Sequence, residues 1–158
     1  MDSIADRIRA MGLTLPQTPK AVANYVPAIV HGGLCFTSGQ LPFVEGRLLA
    51  TGSVGDQVGL DEAKQAARVA ALNALSAAAA AVGGLEALGG VVRVTGYVQV
   101  APRFHREPQV IDGASELYRQ LFGEAGQHAR SAVGVASLPL NAPVEIECVF
   151  RLAADRDD

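Results

Sequence analysis

From Val144 to Phe150 the side chains alternate between two faces. Val144, Ile146, Cys148 and Phe150 fall on one side of an extended chain, and Glu145, Glu147 and Val149 on the other. Period-two alternation of this kind predicts a strand with one face on a core. Residues 129–136 form a second strand-like run that opens near Arg130, and the Leu-Pro-Leu-Asn-Ala-Pro connection at 138–143 reads as a short turn. A tight antiparallel turn there sets Arg130 beside Phe150 and Glu145 beside Val135. Arg130 and Glu145 of one chain then lie about five residues apart along the strands, roughly 16 Å. The carboxylates on the face turned away from the core need a partner, water or a chemical role.

The rest of the chain supplies what such strands pack against. Leu60–Val82 predicts the longest helix, with Asp61 and Glu62 in its first turn, an alanine-rich interior and Gly83-Gly84 at its end. Small side chains let such a helix lie close on a sheet. Residues 3–11 predict a short amphipathic helix stopped by Gly12, and 13–23, with Pro16 and Pro19, an extended connector. Strands are expected at 26–30 and 34–37 around a His31-Gly32-Gly33 turn, weakly at 47–50 after the Glu45-Gly46-Arg47 turn, and at 91–100. Residues 51–59 and 101–108 read as loops, 110–122 as a second long helix, and 123–127 as a link. The order is helix, strands, helix, strand, helix, strand, strand. It predicts an α+β fold, a mixed β-sheet with two long helices packed on one face, plus a short N-terminal helix.

At 158 residues, 49% hydrophobic and 18% charged, the chain is expected to form one domain over 1–158. Residues 1–19 are expected to carry the N-terminal helix and connector, and 153–158 to form a disordered tail. So few charges leave little polar material to cover a surface, which points to an oligomer. A net charge of −3 without a basic face argues against a nucleic-acid partner. Cys35 and Cys148 sit in apolar runs and read as buried free thiols, with no disulfide framework and no metal spacing. No signal peptide is evident and no apolar run reaches the roughly 18 residues of a membrane span, so a soluble cytoplasmic protein is expected.

There is no P-loop, no GxGxxG, and no nucleophile-elbow pattern at Ser38-Gly39. His31, His105 and His128 are scattered through turns and loops and read as solvated. Two residues merit argument. Arginine offers a permanently charged planar fork that suits a carboxylate, and Arg130 stands at the head of an apolar strand. A partly buried glutamate can hold a proton near neutral pH and position water, which Glu145 could do. Ordinary ion pairs at a sheet edge are the competing explanation for both.

The run His128-Ala129-Arg130-Ser131-Ala132-Val133, followed by Ser137-Leu138-Pro139 and Val144-Glu145-Ile146-Glu147, resembles the C-terminal signature of the reactive intermediate deaminase (Rid, or YjgF-type) family. Tyr25-Val26, Gly32 and Thr37-Ser38-Gly39-Gln40-Leu41-Pro42 resemble its other signature. The resemblance spans roughly residues 20–152, with both motifs in order.

That resemblance implies a chorismate-mutase-like α+β subunit in a homotrimer, with ligand sites between subunits. The implied activity is cofactor-free hydrolysis of enamines and imines, such as 2-aminoacrylate, to 2-oxo acids and ammonia. By the same resemblance Arg130 grips the substrate carboxylate, and Glu145 positions the attacking water and relays a proton. Tyr25 lines the cleft, and Ser38 and Gly39 lie beside the ligand, Gly39 through its backbone N–H. Ala132 stands where the deaminases commonly carry cysteine, and Asp112 where an asparagine lines the site. These departures, the N-terminal helix and the longer 101–110 loop mark a divergent subgroup. A non-catalytic trimer that binds small carboxylates with the same arginine is the second reading, and ribonuclease activity a distant third. At the distance expected above, the working pair is Arg130 of one subunit and Glu145 of its neighbour.

Overall fold

A computed structural model describes residues 2–18 and 23–154. Ser3 caps the first helix, α1 (Ile4–Ala10): its hydroxyl accepts the Asp6 N–H while the Asp6 carboxylate accepts the Ser3 N–H. The connector carries no regular structure through Thr18, and its Leu13 and Leu15 pack on the core. Residues 19–22 of the expected connector and 155–158 of the expected tail lie outside the described residues.

β1 (Ala28–His31) and β2 (Leu34–Thr37) pair across Gly32 and Gly33, whose φ of 58° and 75° are the left-handed values of a two-residue hairpin. β3 (Phe43–Val44) pairs with β4 (Arg47–Leu48), so the weak strand expected at 47–50 has a partner that sequence reading left out. The loop at 51–59 is not simply polar surface. Val54 and Val58 are buried, and Val54 exchanges backbone bonds with Gln99 and Ala101.

The long helix, α2, spans Leu60–Val82 as expected. Its Ala63, Ala66, Ala67, Ala70, Ala71 and Ala74 are fully buried. β5 (Leu88–Gln99) starts three residues before the expected strand, and α3 (Glu107–Phe122) three before the expected helix. Pro108 is therefore not a loop residue. It sits in the first turn of α3, where its missing N–H costs no helical bond. α2 and α3 cross tightly at Gly113, where a Cβ would lie 2.0 Å from the Lys64 carbonyl oxygen. A side chain there would push the two helices apart.

β6 (Ala129–Val135) and β7 (Val144–Leu152) complete a five-stranded sheet of order β1-β2-β7-β5-β6. α2 and α3 cover one face, which is the α+β arrangement the sequence predicts. The fully buried Phe150, Ile146, Leu75, Ile111, Leu117 and Leu121 form the layer between sheet and helices, each contributing about 1.5–3 kcal/mol by burial.

One expectation is overturned. β6 and β7 are not a hairpin, because β5 lies between them, parallel to β6 and antiparallel to β7. The cause is the connection at 138–143, which wraps around the end of β5 instead of folding back. The Leu138 N–H donates to Gln99 Oε1 at 2.7 Å, Gln99 Nε2 donates to Asn141 Oδ1 at 2.7 Å, and the Gln99 N–H donates to the Pro143 carbonyl at 2.9 Å. Arg130 consequently lies opposite Val94, not Phe150, and Glu145 opposite Tyr97, not Val135.

A second correction concerns apolar length. α2 contains an 18-residue window of mean hydropathy 1.2, long and apolar enough to cross a membrane. Its alanines supply that hydropathy, and 67% of the window is buried within the fold, as a core helix requires.

Candidate functional site

The register divides the expected site residues between the two faces of the sheet. Arg130 is paired with Val94 and shares its helix-covered side, at the edge strand β6. Its Nη1 donates to Asp112 Oδ1 at 2.7 Å and to Ser115 Oγ at 3.2 Å. Asp112 and Ser115 stand three residues apart on α3, hence on one helical face. The Asp112 side chain is 42% exposed and that of Arg130 26%, so the ion pair lies at the surface of an opening.

His128 completes this group; the sequence reads it as a solvated loop histidine, although it opens the run that includes Arg130. Its Nδ1 lies 2.7 Å from the Gly126 carbonyl, an acceptor, so Nδ1 carries the proton. Nε2 is then free to accept the Ser115 hydroxyl at 2.9 Å. Burial holds the His128 pKa below the usual imidazole value, and the nearby Arg130 and Arg119 charges push the same way against the Gly126 bond. Arg130 is thus fixed by an acidic partner and by a serine that a neutral histidine orients. Ala132, two residues further along β6, packs against the core beside it.

Glu145 belongs to the other face. It lies opposite Tyr97, on the side the helices leave bare. The Gln40 N–H donates to the Ile146 carbonyl at 2.8 Å and the Ile146 N–H to the Gln40 carbonyl at 3.0 Å, which lays Gly39 against the Glu145 side chain. A Cβ on Gly39 would fall 1.9 Å from Glu145 Oε1, so only glycine leaves the carboxylate where it is. Burial raises the Glu145 pKa, and the neighbouring Glu147 charge raises it further. Among the described residues its carboxylate makes no hydrogen bond, whereas Glu147 accepts the Tyr97 hydroxyl at 3.0 Å.

Ser38 has a structural bond of its own. Its hydroxyl donates to the Val26 carbonyl at 2.6 Å and its N–H to the Pro27 carbonyl at 2.8 Å, holding the segment after Tyr25 against the Ser38-Gly39 turn. Tyr25 is 54% exposed at the head of that segment. The structure therefore sets Gly39 beside Glu145 near one end of β7, ties the segment after Tyr25 to the adjoining Ser38, and gathers Asp112, Ser115, His128 and Arg130 at β6.

The two groups do not converge within one chain. Arg130 and Glu145 stand two strands and three residues apart, roughly 14 Å between Cα atoms, with side chains on opposite faces. The bare face exposes Ile29, Phe36 and Val133. A cavity of about 180 Å³ opens on it, lined by Phe36, Thr37, Arg93, Thr95, Glu147 and Val149 among others. Among the described residues no three His, Cys, Asp or Glu side chains are placed to hold a metal ion.

Comparison with known proteins gives the family of the fold. Residues 5–154 match the family described as "YjgF/chorismate_mutase-like, putative endoribonuclease". The chain is 37% identical over 150 residues to Protein TCP17 of Trypanosoma cruzi, covering 94% of each chain. It is 30% identical over 138 residues to a 2-iminobutanoate/2-iminopropanoate deaminase of Dermatophagoides farinae, covering 87% of this chain and 92% of that one. Among solved structures, protein Atu1372 of Agrobacterium tumefaciens, of unknown function, superposes with a TM-score of 0.89 at 42% identity, covering 95% of this chain and 92% of its own.

Proposed function

The chain belongs to the YjgF/chorismate mutase-like family, and we propose on that footing that it hydrolyses reactive enamines and imines of the 2-aminoacrylate type to 2-oxo acids and ammonia, without a cofactor, at sites shared between the subunits of a homotrimer. The observation that carries this reading is the Glu145 carboxylate, half-buried and held against Gly39: burial and the Glu147 charge raise its pKa, which makes it a stronger base toward water. The relative that acts on 2-iminobutanoate and 2-iminopropanoate supports the substrate class.

An enamine first tautomerises to the imine. Water then adds to the C=N carbon while nitrogen takes a proton, and the resulting carbinolamine expels ammonia as its C–O bond becomes the carbonyl. Glu145 holds the water, takes its proton and returns it to nitrogen, help typically worth about 10²–10⁴-fold. The free carboxylate of the substrate needs a cation to orient it, and an arginine fork does so in two bonds. Within one chain Arg130 is on the wrong face for Glu145. Its place on the edge strand makes it available to a neighbouring subunit, whose Glu145, Gly39 and Tyr25 would complete the cleft. The exposed Ile29, Phe36 and Val133 give the bare face an apolar surface suited to that assembly.

A second reading is favoured by one observation. Arg130, held by Asp112 at 2.7 Å with one guanidinium edge left over, has no Glu145 of its own chain on its face of the sheet, which suits a non-catalytic binder of small carboxylates. Imino acids generated in situ by an amino-acid oxidase separate the two. The proposal requires ammonia release to accelerate with wild-type protein and to return to the uncatalysed rate with Glu145→Gln. Equal rates with and without protein, together with retained binding of 2-oxobutyrate, leave only the binder.

A further inference from the structure

Asp112 has a consequence for which ligands the Arg130 group accepts. We infer that Asp112 makes this site selective by charge: it favours 2-imino and 2-oxo acids with a cationic side chain and disfavours those with a second carboxylate. The inference rests on the reading of Arg130 as a carboxylate clamp.

Only Nη1 of Arg130 is engaged among the described residues, by Asp112 and Ser115. Nη2 and Nε form the other edge of the fork, which suits a ligand carboxylate in two parallel bonds. A carboxylate seated there would lie on the order of 5–6 Å from that of Asp112, across one guanidinium. His128 adds no cation while its Nε2 accepts the Ser115 hydroxyl. The group of Arg130, Asp112 and neutral His128 therefore has no net charge, and one ligand carboxylate leaves it at −1. A second carboxylate on the ligand deepens that imbalance. A guanidinium or ammonium corrects it, and Asp112 Oδ2, without a hydrogen bond among the described residues and on a side chain 42% exposed, is the acceptor it meets. Lys64 lies close enough to feel the Asp112 charge, but its ammonium is bonded to Glu116 at 2.8 Å.

Asparagine is the discriminating replacement, because its Oδ1 can still accept from Arg130 while the charge is gone. Calorimetry of three 2-oxo acids on the intact protein reads the effect: 5-guanidino-2-oxopentanoate, 2-oxobutyrate and 2-oxoglutarate. For wild type we expect affinity to fall in that order, by on the order of three- to tenfold per step, as for partly exposed charges. Asp112→Asn should draw the three toward one value, by weakening the first and strengthening the last. Equal wild-type affinities, the reverse order, or a preference that Asp112→Asn leaves intact would overturn the inference and leave the clamp standing. Binding of none of the three overturns the clamp and the inference together. The wild-type ranking decides the matter even if the variant does not fold.

Discussion

At the scale of single residues, the site depends on groups whose protonation is set by what they touch. His128 is held neutral by burial and by neighbouring arginines, with Nδ1 committed to Gly126 and Nε2 to Ser115. Its folded-state pKa lies below the unfolded value, so its contribution to stability is complete above the ordinary pKa of about 6.5 and is lost as pH falls through the lowered one. Protonation puts a second donor on Nε2 and a cation beside Arg130. Thermal unfolding of wild type and His128→Gln should therefore show wild type ahead at pH 8 and the gap narrowing toward pH 5. A gap independent of pH would mean that His128 titrates alike in both states. Sequence reading singled out Arg130, Glu145 and Asp112 because each breaks a local pattern or fits a motif. It passed over His128 and Ser115 because their roles come from a strand edge meeting a helix, a contact made only by the folded chain.

Among the elements, periodicity announced the faces and topology decided the partners. The alternation from Val144 to Phe150 survives residue by residue, since a period of two follows from the backbone alone. The neighbour of β7 does not follow from it. Strand pairing is non-local, and here a single buried side chain, Gln99, sends the 138–143 connection around β5. Pro108 misled for a related reason: the same residue that breaks a helix interior opens a first turn. Gln99→Leu removes the partner of the Leu138 N–H and of Asn141 while keeping apolar bulk. Asn141 is exposed and regains water, so the partly buried Leu138 N–H carries the cost, and denaturant unfolding should show a loss of about 1–3 kcal/mol. A loss under about 0.5 kcal/mol would mean that the connection holds its course without Gln99.

For the whole molecule, the separation of Arg130 and Glu145 onto opposite faces is the fact any account of function must meet. A single subunit presents Arg130, the proposed clamp, at one edge and Glu145, the proposed proton carrier, on the bare face, roughly 14 Å apart in register. In the proposed homotrimer, one repeated heterologous contact would bring the edge of one chain to the bare face of the next. Arg130→Ala disables the clamp of its own chain, and Glu145→Gln disables the carboxylate of its own chain. Each homotrimer should be inactive in imine hydrolysis. After dissociation and reassembly of an equal mixture, a site is intact when its clamp comes from the Glu145→Gln chain and its carboxylate from the neighbouring Arg130→Ala chain. Random assortment makes about one site in four intact, so the mixture should recover about a quarter of the wild-type rate of ammonia release. A mixture as inactive as its two components, with light scattering showing that trimers had reassembled, would contradict a site built across subunits.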